Sequence, residues 1–321
     1  MRVLVSGASG FLGAAVVRCL VAHGHFVRAT GRHLARLHAL ASLCEPLPSD
    51  LHDPASLRTV CADCEVVVHC AALSAPWGPR RLFWQTNVVG TQNLLAACLY
   101  TGVRRFIHLS SPSVLFTGRD VHLATEQAPY ARHPLCAYAW SKQLAEQHVR
   151  HSPLDWLILR PKAIFGPGDT SLLPRIVSAA QAGRLPMVGS GKNLIDLTYV
   201  DNVAHAIALA VRSSQRQRIY HVTNDEHVPL WPLIARVLTH FGLPLPRWRL
   251  PLGLAMLIGR LSEGWASLLG GEPRLTRYTA ALLGTTQTYD IMAIKRDLNY
   301  HPLISVDDAV EHTLNSWTEP V

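Results

Sequence analysis

Arg2-Val3-Leu4-Val5-Ser6-Gly7-Ala8-Ser9-Gly10-Phe11-Leu12-Gly13 opens the chain, and its reading decides the fold. Arg2–Ser6 is a short apolar run, β-branched at two positions, the pattern of a strand buried on both faces in a parallel sheet. From Phe11 to Ala22 the apolar residues take helical spacing, and His23-Gly24-His25 closes that helix with a glycine cap. Between strand and helix stand three glycines. Gly7 permits the tight turn, Gly10 lets the backbone approach a phosphate with no Cβ in the way, and Gly13 lets the helix pack closely on the strand. The helix N-terminus offers free N–H groups and a partial positive charge to an anion. Gly7, Gly10, Phe11, Leu12 and Gly13 therefore form a candidate turn for a dinucleotide pyrophosphate. The glycine spacing is three and three, not the two and three of the commonest fingerprint.

Working outward, strand and helix signals alternate. Phe26–Thr30 reads as a second strand, 45–48 as a weak third, 65–70 as a fourth, 104–109 as a fifth and 155–159 as a sixth. Helical stretches fall between them, notably 80–100 and 130–150. Such alternation predicts an α/β fold: a doubly wound parallel sheet of Rossmann type, helices on both faces, ligands at the carboxyl ends of the strands. After Arg160 the composition shifts. Pro161, Gly166, Pro167, Gly168 and Pro174 mark turns, 201–211 reads as a helix with Asp201 as N-cap or first-turn acid, and 219–222 as a last strand. From Pro229 onward the pattern is mostly helical and rich in Leu and Trp. The expected division is a dinucleotide-binding domain in 1–160 plus 194–224 and a smaller, mostly helical substrate lobe in 161–193 plus 225–321.

The 321 residues suffice for a full core. The net charge of +8 comes from scattered arginines without a dense basic block, which suits solubility and anionic ligands and argues against nucleic acid. The most apolar stretch, 250–269, contains Pro251, Arg260 and Glu263, so its uninterrupted part falls short of the about 20 residues that a membrane span needs. No secretory leader is evident and the seven cysteines are odd in number, so a reducing cytoplasm is expected. Cys61-Ala62-Asp63-Cys64 is a single CxxC that reads as a helix end leading into a strand. The 17 histidines form no recognised ligand spacing, and no metal is expected.

The chemistry residues lie downstream, in Tyr138-Ala139-Trp140-Ser141-Lys142. Tyr138 and Lys142, four apart, project from one face of a helix. A phenol titrates near 10, and a neighbouring ammonium favours the phenolate, so the pair predicts an acid–base group for a carbonyl or alcohol. Lys142 can also hydrogen-bond a cofactor ribose. Ser111, just past the fifth strand, would polarise the substrate oxygen beside Tyr138; Ser110 or Ser113 takes its place if the register differs. Asn87 would either support the Lys142 amine through a water or serve as a buried amide. At the end of the second strand stands Thr30-Gly31-Arg32-His33, with no carboxylate to repel a ribose 2′-phosphate. Arg32 can pair with that phosphate, so NADP is expected over NAD, with Arg28 and Arg36 as weaker candidates.

Together these residues resemble the extended short-chain dehydrogenase/reductase superfamily. Within it, the chain resembles the 3β-hydroxysteroid dehydrogenase-like branch, which includes sterol-type dehydrogenases and bacterial 2-alkyl-3-oxoalkanoate reductases. The carriers include Asp50-Leu51-His52-Asp53, His69-Cys70-Ala71-Ala72, Asn87-Val88-Val89-Gly90-Thr91, Ser110-Ser111-Pro112-Ser113-Val114, Leu159-Arg160-Pro161 and Gly271-Glu272-Pro273-Arg274-Leu275-Thr276-Arg277. The resemblance implies a nicotinamide-dependent dehydrogenase or reductase with Ser111, Tyr138 and Lys142 catalytic and Asn87 in support. It further implies that Asp50 and Leu51 lie at the adenine, Ala71 and Ala72 line the dinucleotide groove and Pro161 lies near the nicotinamide. Relatives are often homodimers. Leu115-Phe116 after Val114, where many relatives have Tyr-Gly, departs from the sugar-nucleotide branch. Lys162 would face a substrate carboxylate or solvent.

The favoured expectation is an oxidoreductase acting on a 3-hydroxy or 3-oxo group of a hydrophobic substrate, with 250–269 and Trp265 as a greasy pocket wall. A sugar-nucleotide epimerase or dehydratase, with Arg175 and Arg184 for a diphosphate, and a non-catalytic dinucleotide-binding protein are the alternatives.

Overall fold

The computed structural model describes residues 1–317. Seven strands form one parallel sheet: β1 (Arg2–Ser6), β2 (Phe26–Thr30), β3 (Glu45–Pro46), β4 (Val66–His69), β5 (Arg105–Leu109), β6 (Asp155–Pro161) and β7 (Arg218–Val222). Their order is β7-β6-β5-β4-β1-β2-β3, so the chain starts in the middle, winds to one edge and then to the other. The carboxyl ends of β1 and β4 meet at the point where the winding reverses, which in open α/β sheets is where ligands bind.

Alternation along β1 shows why the sheet is buried on both sides. Val3 and Val5 join one core with Val66, Val68, Ile107 and Leu109, beneath Ala15, Val16 and Val17 of the helix Phe11–Ala22 and Val203 and Ile207 of the helix Val200–Arg212. Leu4 points the other way, into a core with Val67 and Phe106 under Leu57 and Val60 of the helix Pro54–Cys61 and Leu94 and Cys98 of the helix Gly90–Thr101. A period of two thus makes a sheet with two covered faces.

The departures from the sequence reading are local. The expected helix over 80–100 is continuous but contains a six-residue π-helical segment, Trp84–Val89. The expected helix over 130–150 begins only at Ala137, with Cys136 as N-cap and its Sγ accepting from the Ala139 amide. Tyr130 lies outside it and donates its hydroxyl to Glu146 at 2.7 Å. Asp201 is a first-turn acid, not the cap, which is Tyr199. Four short strands without visible periodicity, Val121–Ala124, Leu194–Asp196, His227–Pro229 and Gln287–Tyr289, form a second sheet beside the later helices.

Candidate active site

The glycine turn has the geometry its spacing predicts. Gly7 has φ +72°, and a Cβ there would lie 2.7 Å from the Ala71 backbone. A Cβ on Gly13 would lie 2.1 Å from the Gly7 carbonyl oxygen. Both positions admit only glycine without displacing backbone. Gly10 caps the helix Phe11–Ala22 with no side-chain hydrogen bond, and the first turn has no acidic residue. The first-turn amides of Phe11 and Leu12 are therefore left without a side-chain acceptor, as an anion site at a helix N-terminus requires. Ala71 and Ala72 follow β4, and Ala71 forms the wall against which Gly7 turns. These residues fit a dinucleotide: the turn is closed by backbone contacts that only glycine permits, and the helix N-terminus above it carries no side-chain cap.

At the far end of the groove, Arg32 is exposed just past β2 and helps to hold the Asp50 carboxyl below its usual range, after the hydrogen bond from the His52 amide. Asp50 accepts that amide at 2.8 Å. Leu51 sits against Gly90, and its carbonyl accepts from Asn93. Arg28 is not a cofactor residue. It is buried, paired with Glu45 at 2.9 Å and donating to the carbonyls of Val60 and Ala62. Cys61 and Cys64 are buried beside it at the helix-to-strand junction, and among the described residues no cluster of ligating side chains could hold a metal.

The helix Ala137–Arg150 brings Tyr138 and Lys142 to the carboxyl end of β5. Lys142 is 2% exposed, donates to the Leu109 carbonyl at 2.5 Å and lies 3.2 Å from His108 Nε2. Burial lowers its amine to about 8. Burial pushes the Tyr138 phenol up to about 12, opposed by the neighbouring Ser111 and Ser74 hydroxyls. The Lys142 amine is turned to the strand end, toward the Leu109 carbonyl and His108. Ser111 caps the turn Pro112–Val114 and stands beside Tyr138. Ser110 and Ser113 are buried, and their hydroxyls have no hydrogen-bond partner in the structure.

Asn87, in the π-helical segment, is 1% exposed and does not reach Lys142 directly. Its amide accepts from Leu73 N at 2.7 Å and donates to Leu73 O at 3.0 Å and Ser141 Oγ at 2.9 Å. Ser141 in turn donates to the Tyr138 carbonyl at 2.8 Å. The Asn87 carbonyl accepts from Thr91 Oγ1 at 2.6 Å, so Thr91 must accept from His69 Nε2 at 3.0 Å, and His69 Nδ1 then accepts from Ser6 Oγ at 2.7 Å. A buried relay thus runs from the strand before the glycine turn to the helix Ala137–Arg150. Burial lowers the His69 imidazole to about 3, so the ring is neutral and Ser6 is the donor in the Ser6–His69 pair. Ser74, Ser141, Thr91 and Cys136 went unread in the sequence. Ser74 alone carried a signal, being polar just past a parallel strand end.

Pro161 ends β6 opposite Val222, on the same edge of the sheet. Lys162 is half-buried and lines neither of the two cavities in front of the helix Ala137–Arg150. It donates to Gln287 at 2.6 Å, and burial lowers it to about 8. Two adjoining cavities open in front of the helix Ala137–Arg150. One, of about 520 Å³, is lined by Trp77, Arg80, Arg132, Cys136, Trp140 and Arg277 among others. The second, of about 570 Å³, adds Arg260, Gly264 and Ser267. Trp265 is no wall of either: it is 68% exposed on the outer side of its helix. Arg175 lies 3.9 Å from Glu272 on the surface, and Arg184 is exposed.

Residues 4–252 match the model of the 3-beta hydroxysteroid dehydrogenase/isomerase family. The chain belongs to that family. It is an NAD(P)-dependent oxidoreductase of the extended short-chain dehydrogenase type. A 2-alkyl-3-oxoalkanoate reductase of Stenotrophomonas maltophilia (strain K279a) is 36% identical over 97% of this chain and 97% of its own. A decarboxylating sterol-4-alpha-carboxylate 3-dehydrogenase of Bos taurus is 34% identical over 98% of this chain and 92% of its own. The crystal structure of gox2253 superposes with a TM-score of 0.81 at 29% identity, covering 98% of this chain and 97% of that one. Among the described residues no helix is long and apolar enough to cross a membrane.

Proposed function

We propose that this family member reduces a 3-oxo group, or oxidises the matching 3-hydroxyl, on a hydrophobic substrate that carries an acidic group, with NADP(H) as the nicotinamide cofactor. The observation that carries the reading is that the helix bearing Tyr138 and Lys142 is held at the carboxyl end of β5, next to Ser111 and on the edge of the sheet that also bears the glycine turn. The dinucleotide, when bound, supplies or accepts the hydride. Gly7, Gly10, Phe11, Leu12 and Gly13 would hold its pyrophosphate, Arg32 a 2′-phosphate, Asp50 and Leu51 the adenine, and Ala71, Ala72 and Pro161 the rest of the groove.

A phenol held near 12 keeps its proton at neutral pH, which suits donation to a carbonyl oxygen in the reductive direction. Ser111 would donate to the same oxygen and share the charge that develops there. Lys142 has three donors, of which two are engaged by Leu109 and His108, so one is left for the ribose. Asn87 is a positioning residue, acting on Tyr138 through Ser141. Residues 1–160 plus 194–224 would bind the dinucleotide, and 161–193 plus 225–321 would shape the substrate side.

The substrate class draws on two supports. The named relatives act on 2-alkyl-3-oxoalkanoates and on a sterol 4-carboxylate. In this chain Arg80 and Arg132 border the cavity beside Cys136 and Ala137, and Arg80 stacks on Trp140 at 3.7 Å. An arginine pair there favours a carboxylate. The test is turnover with long 3-oxo acids, steroids and nucleotide sugars, each with NADPH and NADH. Tyr138→Phe should lower kcat on an accepted 3-oxo acid by roughly 10²–10⁴-fold while NADPH still binds. Unchanged kcat, or turnover of nucleotide sugars alone, sinks the proposal.

A further inference from the structure

On the four adjacent strands β1, β4, β5 and β6, the face turned to the helices Gly90–Thr101 and Ala137–Arg150 changes character at its end. Leu4, Val67, Phe106 and Ile158 belong to one buried apolar cluster. Two residues on, toward the carboxyl ends and on the same face, stand Ser6, His69, His108 and Arg160, none more than 1% exposed. Ser6, His69 and His108 are neighbours in register. Ser6 and His69 belong to the buried relay, and Arg160 is paired with Glu146 at 2.6 Å. His108 belongs to neither. An apolar side chain would continue its face at no polar cost, yet an imidazole is buried there. Its Nε2 lies 3.2 Å from Lys142 Nζ, and its Nδ1 has no hydrogen-bond partner among the described residues.

An ammonium cannot accept a hydrogen bond, so a charged Lys142 donates, His108 Nε2 is the bare nitrogen and the ring proton sits on Nδ1. The same ammonium donates to the carbonyl of Leu109, the next residue of the strand, at 2.5 Å. One acceptor fixes one N–H direction; two acceptors on successive residues of β5 fix the whole amine. We infer that His108 is a positioning residue, whose Nε2 holds the Lys142 amine at the end of β5 in its ammonium form, with the third N–H left for the ribose of the dinucleotide. The inference rests on the proposed role of Lys142 at that ribose. A hydrogen bond accepted from the charged form favours that form, and here it works against the burial that lowers the amine to about 8. The other groups around the amine are occupied or titrate far away. Glu146, one turn on, is tied to Arg160 and Tyr130. The Tyr138 phenol, one turn before, and the Cys70 thiol past β4 are both pushed by burial to about 12. His69 of β4, its ring centre 5.4 Å from that of His108, is lowered by burial to about 3. Burial also holds His108 itself well below the usual imidazole range, so its Nε2 stays an acceptor.

Two measurements on the full chain test this without turnover. Nitrogen NMR of isotope-labelled histidine, with His108 assigned by the signals missing from His108→Gln, should show a neutral ring protonated at Nδ1 and bare at Nε2. A proton on Nε2 overturns the inference. NADPH binding, followed by cofactor fluorescence across about pH 6 to 9, should weaken in the wild type above about pH 8 as the amine loses its charge. In His108→Leu the weakening should begin about one pH unit lower, which makes binding at about pH 9 about tenfold weaker than in the wild type. His108→Gln, which offers Oε1 near the place of Nε2, should follow the wild type. In turnover, His108→Leu should raise KM for NADPH more than it lowers kcat. Should that variant melt early, His108→Val, smaller and also without an acceptor, replaces it. The inference is overturned if the apolar variant keeps the wild-type pH dependence. It is equally overturned if His108→Gln is displaced as far as the apolar variant, because shape and not the acceptor would then matter. A wild type that binds no dinucleotide removes the proposed function and this inference together, whereas failure in the variants alone removes only the inference.

Discussion

At the N-terminus, Gly13 lets the first helix sit on the turn at Gly7; near the C-terminus, Gly259 lets the helix Leu252–Leu269 sit on Thr276 and Arg277. A Cβ at Gly13 would lie 2.1 Å from the Gly7 carbonyl oxygen, and one at Gly259 would lie 2.7 Å from the Arg277 amide nitrogen. The physical device is the same, two backbones in contact because a side chain is missing. The surroundings differ. The first contact is made within a few residues of chain, so its spacing is written in the sequence. The second joins residues 18 apart in number, Gly259 and Arg277, and nothing around Gly259 announces it. The first also shapes a ligand cradle, whereas the second leaves a neighbouring face of the same helix uncovered.

Substitutions can break that comparison. Gly13→Ala should have the largest effect, about 3 kcal/mol or more by overpacking against backbone that cannot yield, with loss of NADPH binding; denaturant unfolding and cofactor titration read both. Gly259→Ala gains about 1 kcal/mol of helix propensity but meets the Arg277 amide, so a net loss of about 1–2 kcal/mol is expected, with cofactor affinity unchanged. If Gly259→Ala also abolished NADPH binding, the two contacts would not be independent.

The cradle can be sharpened further. Arg32→Asp should weaken NADPH by about 10–100-fold and spare NADH, on the strength of a charge-assisted pair with a 2′-phosphate; equal loss of both cofactors would contradict the assignment. Beneath the cradle, His69 stays neutral with its imidazole lowered to about 3, whereas in the unfolded chain it protonates near 6.5. Below the unfolded value the unfolded chain binds a proton that the folded chain refuses. Stability from this group is therefore present above about pH 6.5 and lost as pH falls toward about 3. His221, also lowered to about 3, adds to the same slope. Melting temperature measured across that window should fall with acid, and His69→Asn should flatten part of the fall. Least affected should be Leu261→Ser. Leu261 is 57% exposed, so its loss should change unfolding free energy by less than about 0.5 kcal/mol, in contrast to Gly259 two residues away.

Much of the fold was legible. β1, β2, β4, β5, β6 and β7 are four to seven residues long and apolar, and a strand buried on both faces cannot hide its composition. The short strands of the second sheet, such as Gln287–Tyr289, carry too few residues for a period to emerge. The candidate site was legible where one element determines it: the glycine turn, and Tyr138 and Lys142 on one helix face. It was not legible where two distant elements meet. Ser74 against Tyr138, the relay from Ser6 to Ser141, and the Leu109 carbonyl that holds Lys142 depend on which loops the sheet order brings together. Lys162 shows the same limit, since its neighbour Gln287 lies 125 residues later.

By itself, then, the sequence determined the parallel sheet, the glycine turn and the placing of Tyr138 and Lys142 on one helix face, because period, glycine spacing and a four-residue offset are local geometry. Tertiary structure alone decided the protonation environment of Tyr138 and Lys142 and which face of the helix Leu252–Leu269 is covered. Burial depends on what the rest of the chain places nearby, and a helical pattern says which side is apolar without saying what will meet it.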